Sequence, residues 1–170
     1  MKMSDGSEPI LFETASNQKH GIYVHIPFCQ KKCAYCDFYS LTDLTLRQPF
    51  VESLLQEMSL VTSHDVPSDT LYFGGGTPSV LTPRQIETLM QQARSLFTLT
   101  PDAEITMEVN PGTVSRDYLN FLMQIGINRI NIGVQSFSRD TLEFLGRIHS
   151  PDQATHAIQQ VRKAGFDNIG

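Results

Sequence analysis

The chain has 170 residues, of which 40% are hydrophobic and 18% charged, and it contains no tryptophan. This composition is typical of one globular domain or of a piece of a larger one, and it excludes the disordered, collagen-like and membrane classes. The formal net charge is -5 and the lysines and arginines are scattered, which excludes nucleic acid as a partner. No apolar run approaches the roughly 20 residues needed to cross a bilayer, and the polar first residues lack a targeting pattern, so a cytoplasmic protein is predicted.

Strand and helix patterns alternate along the chain. Residues 1–20 hold one small apolar cluster and are predicted to form a flexible arm, with ordered structure from Gly21. Short apolar runs predict strands at 22–26, 70–73, 105–109 and 130–134, with a fifth strand beginning near the last residue. Helical spacing predicts a helix over 50–61, and four later helices are predicted to begin after the N-cap residues Thr82, Ser115, Ser138 and Ser150.

This alternation predicts an α/β fold built from parallel βα units. A parallel sheet must be covered by helices or closed into a barrel. An open sheet more often shows a shorter, glycine-patterned first loop than the one here. We therefore predict a truncated TIM-type barrel, with residues 21–170 as the first part of a larger domain.

All three cysteines, Cys29, Cys33 and Cys36, lie in the loop after the first predicted strand. An odd number at such close spacing is not a disulfide framework and indicates metal binding in a reducing compartment. Three thiolates on a short loop can ligate three irons of a [4Fe-4S] cluster and leave the fourth iron open. The alternative is a structural zinc site that adds a histidine such as His25, although such sites usually use separated cysteine pairs. The spacing favours the cluster.

Five segments occur in an order that resembles one protein family. They are YVHIPFCQKKCAYCDF, LYFGGGTPS, EITMEVNPGT, NRINIGVQSF and LGRIH, and they cover the chain from about residue 21 onward. This order resembles the radical S-adenosylmethionine (radical SAM) family, and within it the oxygen-independent coproporphyrinogen III oxidase-like proteins. The resemblance implies the N-terminal part of a radical SAM barrel, with a [4Fe-4S] cluster on the cysteines. It also implies S-adenosylmethionine on the open iron, cleaved by one electron to methionine and a 5′-deoxyadenosyl radical.

The triglycine turn, Gly74 to Gly76, follows the second predicted strand together with Thr77. Without side chains its backbone can approach a ligand closely, although a plain tight turn is the alternative. The resemblance places the turn at the methionine amino group of S-adenosylmethionine and implies Gly75, Gly76 and Thr77 as binding residues. A side chain at Gly76 is therefore expected to fill cofactor space and to leave the cluster intact.

Two polar residues stand at the ends of the next predicted strands. Glu108 lies in an otherwise apolar strand, but Glu104 has the same parity, so alternation does not choose between them. The resemblance chooses Glu108, as a contact to the ribose or amino acid part of the cofactor. Gln135 is predicted to end the fourth strand as Glu108 ends the third, and its amide suits a ribose, with a surface glutamine as the alternative.

Three further residues are assigned to the cofactor by the resemblance alone. The sequence itself favours a helix-surface charge for Arg147 and a core position for Tyr23. The resemblance instead implies that Arg147 reaches the cofactor as a forked donor and that Tyr23 lies against it. Tyr35, between the second and third cysteines, has the aromatic character expected of a residue that meets the adenine.

None of the histidines is predicted to be a metal ligand or a cofactor-binding residue. His25 is predicted to be a hydrogen-bonded structural residue once a cluster is accepted. His149, two residues beyond Arg147, is a candidate to line the site. His64 and His156 are predicted at the surface, and His20 at the end of the arm.

The position two residues after the third cysteine distinguishes branches of this family. The resemblance implies a fourth cysteine there in decarboxylating oxidases, whereas this chain has Phe38. That departure favours the branch of haem chaperones of the HemW type, with haem or porphyrin, an electron donor and a haem-acceptor protein as partners. A true oxidase is the alternative within the family, and a non-catalytic metal-binding module is the alternative from another class.

Overall fold

The computed structural model describes residues 19–61 and 67–170, so most of the predicted arm and His64 lie outside the described residues. This part of the chain contains the strands β1 (His20–Ile26), β2 (Ser68–Gly75), β3 (Leu99–Val109), β4 (Arg129–Ile132) and β5 (Asn168–Ile169). Its α-helices are α1 (Arg47–Leu60), α2 (Pro83–Leu96), α3 (Arg116–Gln124), α4 (Arg139–Phe144) and α5 (Pro151–Lys163). None of these helices is long and apolar enough to cross a membrane.

The strands form one parallel sheet whose spatial order follows the chain, β1-β2-β3-β4-β5. A doubly wound sheet reverses its strand order near the first strand, whereas a barrel does not. The order confirms the predicted parallel βα units and agrees with part of a barrel. Over the described residues the sheet stays open between β1 and β5.

The two faces of the sheet differ in polarity. On one face Phe73, Met107 and Ile130 are fully buried and belong to the core formed with the helices. The contribution of α2 to this core is the predicted stripe of Ile86, Leu89, Met90 and Ala93. The alternate residues, such as Tyr72 and Glu108, lie on the opposite face and are partly accessible. The open sheet therefore presents a polar face.

The structure confirms the predicted N-cap residues of the last four helices, which are Thr82, Ser115, Ser138 and Ser150. Each accepts a hydrogen bond from a backbone N–H that the first helical turn leaves unpaired. In α2 and α5 a glutamine three positions later completes a capping box. The starts of these helices are therefore encoded within four consecutive residues.

All four strands with predicted bounds differ from them at one end or at both, and β1, for example, begins at His20 and not at residue 22. β2 continues into the first two glycines of the triglycine turn, because both pair with β1. β3 begins as early as Leu99, because Leu99 pairs with Ser68. The register then shifts before Glu104 pairs with Thr70, so Pro101 lies in the unpaired stretch between them. β4 ends at Ile132 and not at residue 134, because a tight turn follows in which Val134 N donates to Ile132 O at 2.8 Å.

Candidate functional site

The cysteine loop, residues 29–40, follows β1 and is closed at its base. Phe28 and Leu41 form a parallel bridge, and Cys29 N donates to Leu41 O at 2.9 Å. All three cysteines are free and half-buried. The loop therefore begins and ends at one fixed point beside the carboxyl end of β1.

A cavity of about 410 Å³ opens at the carboxyl ends of the strands, within the size range of small-ligand sites. A parallel barrel usually carries its active site at this end. The cavity is lined by every predicted site residue except Tyr23, namely Cys29, Cys33, Tyr35, Cys36, Gly75, Gly76, Thr77, Glu108, Gln135 and Arg147. Asn110 and Asn131, which were not among the predicted residues, also line it.

The triglycine turn and Thr77 lie against the backbone just before the cysteine loop. Gly76 N donates to Ile26 O at 2.8 Å, and Thr77 N donates to Phe28 O at 2.7 Å. A Cβ atom on Gly76 would lie 2.7 Å from Phe28 O and 2.9 Å from Phe28 N. The expectation that a side chain at Gly76 only fills cofactor space is therefore wrong, because the added atom would displace the base of the cysteine loop.

Glu108 is held in the cavity by two donors. Tyr72 Oη donates to Oε1 at 2.7 Å, and Gly75 N donates to Oε2 at 3.2 Å. Partial burial and the bond to Glu108 raise the pKa of Tyr72. Glu104 instead lies 3.8 Å from Arg129 Nε and is absent from the cavity wall. Of the two glutamates that alternation left open, only Glu108 reaches the cavity.

Gln135 lines the cavity from a different place than predicted. It follows β4 in the subsequent turn, with φ of 66°, a left-handed conformation that is uncommon outside glycine. The residue of β4 that pairs with Glu108 in register is Asn131. Asn131 Nδ2 donates to Tyr72 Oη at 3.0 Å and so joins the hydrogen bonds around Glu108. Strand register cannot be read from the sequence, and without the register Asn131 is not identifiable as a cavity residue.

Arg147 lies in the cavity wall beyond the end of α4, so the helix-surface interpretation is wrong. Its Nη2 donates to Asn110 Oδ1 and to Gly133 O, both at 2.6 Å. Its Nη1 lies 3.5 Å from Cys33 Sγ as a donor. Its Nε is buried without a hydrogen-bond partner among the described residues.

The two predicted tyrosines occupy different places. Tyr23 is 55% exposed and therefore not a core residue. It stacks on Tyr72 on the polar face of the sheet, with 6.0 Å between ring centroids, and is absent from the cavity wall. Tyr35 lines the cavity, where burial raises its pKa and the charge of Arg147 opposes that shift.

The histidines take structural or surface positions. His25 Nε2 lies 3.1 Å from Tyr39 O and Nδ1 lies 3.3 Å from Tyr23 Oη, as expected for a hydrogen-bonded residue. His149 is only 5% exposed, bonds to Val134 O at 3.0 Å and does not line the cavity. His156 is exposed as predicted, whereas His20 begins β1.

The donor set of the cavity fits the cofactors that the resemblance implies. Over residues 19–61 and 67–170, no three histidine, cysteine or carboxylate side chains are grouped as a site for a single metal ion. Three free thiols around one cavity suit a multi-iron cluster better than a zinc ion. The unpaired Nε of Arg147 suits a carboxylate, since a buried guanidinium N–H requires an acceptor.

Comparison with known proteins establishes the family. Residues 23–170 match the Radical SAM superfamily, and the chain belongs to it. A [4Fe-4S] cluster and S-adenosylmethionine are the cofactors that membership implies.

The curated proteins that are similar in sequence to this chain include heme chaperones from two bacteria. The heme chaperone HemW of Escherichia coli (strain K12) is 43% identical over 149 residues, which are 85% of this chain and 39% of the relative. HemW of Lactococcus lactis subsp. lactis (strain IL1403) is 39% identical over 151 residues, covering 86% of this chain and 38% of the relative. The chain thus spans about two-fifths of the length of these relatives.

Solved structures, too, are similar to this chain, and one of them is an oxidase. It is coproporphyrinogen III oxidase (HemN) from Escherichia coli, described as a radical SAM enzyme, with a TM-score of 0.80 and 31% sequence identity. The similarity covers 88% of this chain and 35% of that chain. The predicted family and α/β fold are therefore confirmed.

Proposed function

We propose that this chain is the cofactor-binding part of a haem chaperone of the HemW type. One observation carries the proposal: the three cysteines, the triglycine turn, Glu108 and Arg147 meet at a single cavity. The identity to the heme chaperones HemW, which exceeds that to HemN, supports the branch. Haem or porphyrin, an electron donor and a haem-acceptor protein are the proposed partners, and the cytoplasm is the proposed location.

We assign different cavity residues to the two cofactors. We assign Cys29, Cys33 and Cys36 to three irons of the cluster. When bound, the reduced cluster supplies one electron to the sulfonium of S-adenosylmethionine. For the amino acid part of that cofactor we assign Arg147 as donor to the carboxylate, and the triglycine turn as partner of the amino group.

The remaining wall residues suit the nucleoside part. Glu108 is held rigidly by Tyr72 and Gly75 and offers acceptors for a ribose hydroxyl. Gln135 offers both a donor and an acceptor. Tyr35 presents an aromatic face, which suits stacking on adenine.

A true coproporphyrinogen III oxidase is the second candidate, and the structural similarity to HemN supports it. Phe38 argues against it. This side chain is 62% exposed and lines the same cavity. A phenyl ring there provides neither a ligand nor a proton, where the resemblance implies a thiol in the oxidases.

Anaerobic reconstitution tests the cofactor assignment. We expect four irons and four sulfides per chain, with visible absorption lost when Cys29, Cys33 or Cys36 is replaced by alanine. Tyr39→Phe is the control on the same loop, because only the backbone of Tyr39 makes a described contact. One zinc per chain and no iron would instead support the metal-binding module.

Incubation of the reduced full-length protein with coproporphyrinogen III tests the branch. We expect haem to be retained when it is supplied, and no protoporphyrinogen IX to form. Formation of protoporphyrinogen IX at turnover rates, detected by fluorescence after oxidation, would instead support the oxidase as the function.

A further inference from the structure

The side chain of Asn110 joins two cysteines through a continuous line of hydrogen bonds. Asn110 follows β3, and its Nδ2 donates to Thr77 Oγ1 at 2.8 Å. Thr77 Oγ1 in turn lies 3.5 Å from Cys29 Sγ. On the other side, Asn110 Oδ1 accepts from Arg147 Nη2 at 2.6 Å, and Arg147 Nη1 lies 3.5 Å from Cys33 Sγ. One carboxamide therefore connects the surroundings of two thiols.

The chemistry of these groups fixes the direction of every bond. A guanidinium has donors only, so the oxygen of the Asn110 amide must face Arg147. The amide nitrogen then faces Thr77 and occupies an acceptor position of its hydroxyl. That leaves the Thr77 proton free to point at Cys29 Sγ. Both ends of the line therefore present donors to sulfur.

Asn110 itself is held on two sides. Thr113 N donates to Asn110 O at 2.9 Å, and Asn110 N donates to Thr113 Oγ1 at 3.2 Å, which closes a turn after β3. Gly133 leaves room for the amide, since a Cβ atom there would lie 2.8 Å from Asn110 Oδ1. The carboxamide is therefore confined by the fold before any ligand binds.

We propose that Asn110 is a positioning residue that directs the donors of Thr77 and Arg147 onto Cys29 and Cys33 and thereby raises the reduction potential of the bound cluster. The inference rests on the proposed cluster. Hydrogen bonds to ligand sulfurs stabilise the more negative, reduced state and are one determinant of such potentials. Asn110 acts through its neighbours and is not itself a ligand.

The sharpest variant is Asn110→Asp, which preserves shape and removes the donor. A carboxylate only accepts, so the Thr77 hydroxyl must turn toward it and away from Cys29. We expect the ratio of reduced to oxidised cluster at a fixed potential to fall about tenfold, which is about 59 mV for one electron. Redox titration followed by EPR measures this ratio.

Added charge alone would also lower the potential, so the same change is repeated in the Thr77→Val background. If the hydroxyl transmits the effect, the shift caused by Asn110→Asp falls to less than half there. An equal shift in both backgrounds overturns the proposal, because charge then explains everything. Thr77→Ser, which keeps the hydroxyl, is expected to retain the parent potential.

Two further variants keep the test decisive. Gly133→Ala displaces the amide oxygen without changing charge and is expected to lower the potential in the same direction. Asn120→Asp is the matched control for added charge, because Asn120 is exposed on α3 and does not line the cavity. An unchanged potential in Gly133→Ala and Asn110→Asp overturns the inference alone, whereas a parent chain that takes up no iron overturns the proposed function.

Discussion

Asparagines occupy both ends of the sheet, and they serve different purposes. At the amino end of β4, Asn128 accepts from Ile105 N and donates to Ala103 O, both at 2.8 Å. At the carboxyl end of β3, Asn110 bonds through its amide to the side chains of Thr77 and Arg147. The hydrogen bonds of Asn128 link β4 to β3, whereas those of Asn110 orient the side chains of Thr77 and Arg147 at the cavity. The comparison indicates that the asparagine at the amino end of the sheet serves stability, whereas the one at the carboxyl end serves the candidate site.

The largest expected effect comes from placing an atom between the triglycine turn and the cysteine loop. In Gly76→Ala the Cβ atom meets backbone atoms of Phe28 at 2.7 and 2.9 Å, so the backbone must move. We expect a loss of about 3 kcal/mol in the free energy of unfolding, measured by urea denaturation, together with loss of iron uptake.

Gly112→Ala is the control at the same end, because no atom lies within 4 Å of its added Cβ. Its stability should stay within about 0.5 kcal/mol of the parent. Equal stability of Gly76→Ala and Gly112→Ala would show that the carboxyl end of the sheet tolerates added atoms at both positions, which would contradict the expected clash with Phe28.

The second effect tests the amino end. Asn128→Ala leaves a backbone donor and a backbone acceptor of β3 without their partner, and we expect a loss of about 2 kcal/mol. Asn110→Ala removes bonds to side chains only, and Arg147 Nη2 keeps its bond to Gly133 O, so we expect a smaller loss of about 1 kcal/mol. Urea titration of both variants checks the order, and a larger loss from Asn110→Ala would reverse the proposed division.

A third substitution is expected to stabilise the protein. Gln135 adopts φ of 66°, which glycine accepts more readily, so Gln135→Gly should add about 1 kcal/mol to the free energy of unfolding. The same variant should weaken binding of S-adenosylmethionine, measured by calorimetry, because an amide leaves the cavity. Gln92→Gly within α2 is the matched control and should instead cost about 1 kcal/mol.

The smallest expected effect is a pH dependence beside the cavity. Burial lowers the pKa of His149, and the charge of Arg147 lowers it further. The unfolded chain therefore takes up the proton more readily, and stability falls as pH drops below about 6.5. His149→Gln should flatten thermal denaturation midpoints between about pH 7 and pH 5. His156 is exposed, and His156→Gln is the control, which should leave the pH dependence of the midpoints unchanged. Equal flattening in the two variants would exclude His149 as the cause.

The sequence predicts the parts of this molecule that depend on neighbouring residues. Capping boxes involve residues three apart, so the starts of α2 and α5 are visible at Thr82 and Ser150. The cysteine spacing and the alternation that puts Glu108 opposite Met107 are equally local. The family resemblance supplied the rest of the predicted site.

What the sequence did not reveal depends on contacts between distant segments. Asn131 becomes a partner of Tyr72 only through the register of β4 against β3. Arg147 enters the cavity because the chain turns after α4, which helical periodicity does not encode. The reason for Gly76 is likewise a close approach to Phe28, remote in sequence.

The strand order also has a consequence for synthesis, because neighbours in the sheet are neighbours along the chain. Each strand pairs with the one synthesised just before it, so the sheet can grow unit by unit as the chain leaves the ribosome. β1 and β2, which carry the cysteine loop and the triglycine turn, are the first pair of strands to be synthesised, and Arg147 is the last of the cavity residues. All three thiols are therefore synthesised more than 100 residues before Arg147, the donor that lies 3.5 Å from Cys33 Sγ, so the cysteine loop is complete in the growing chain before its full electrostatic surroundings are.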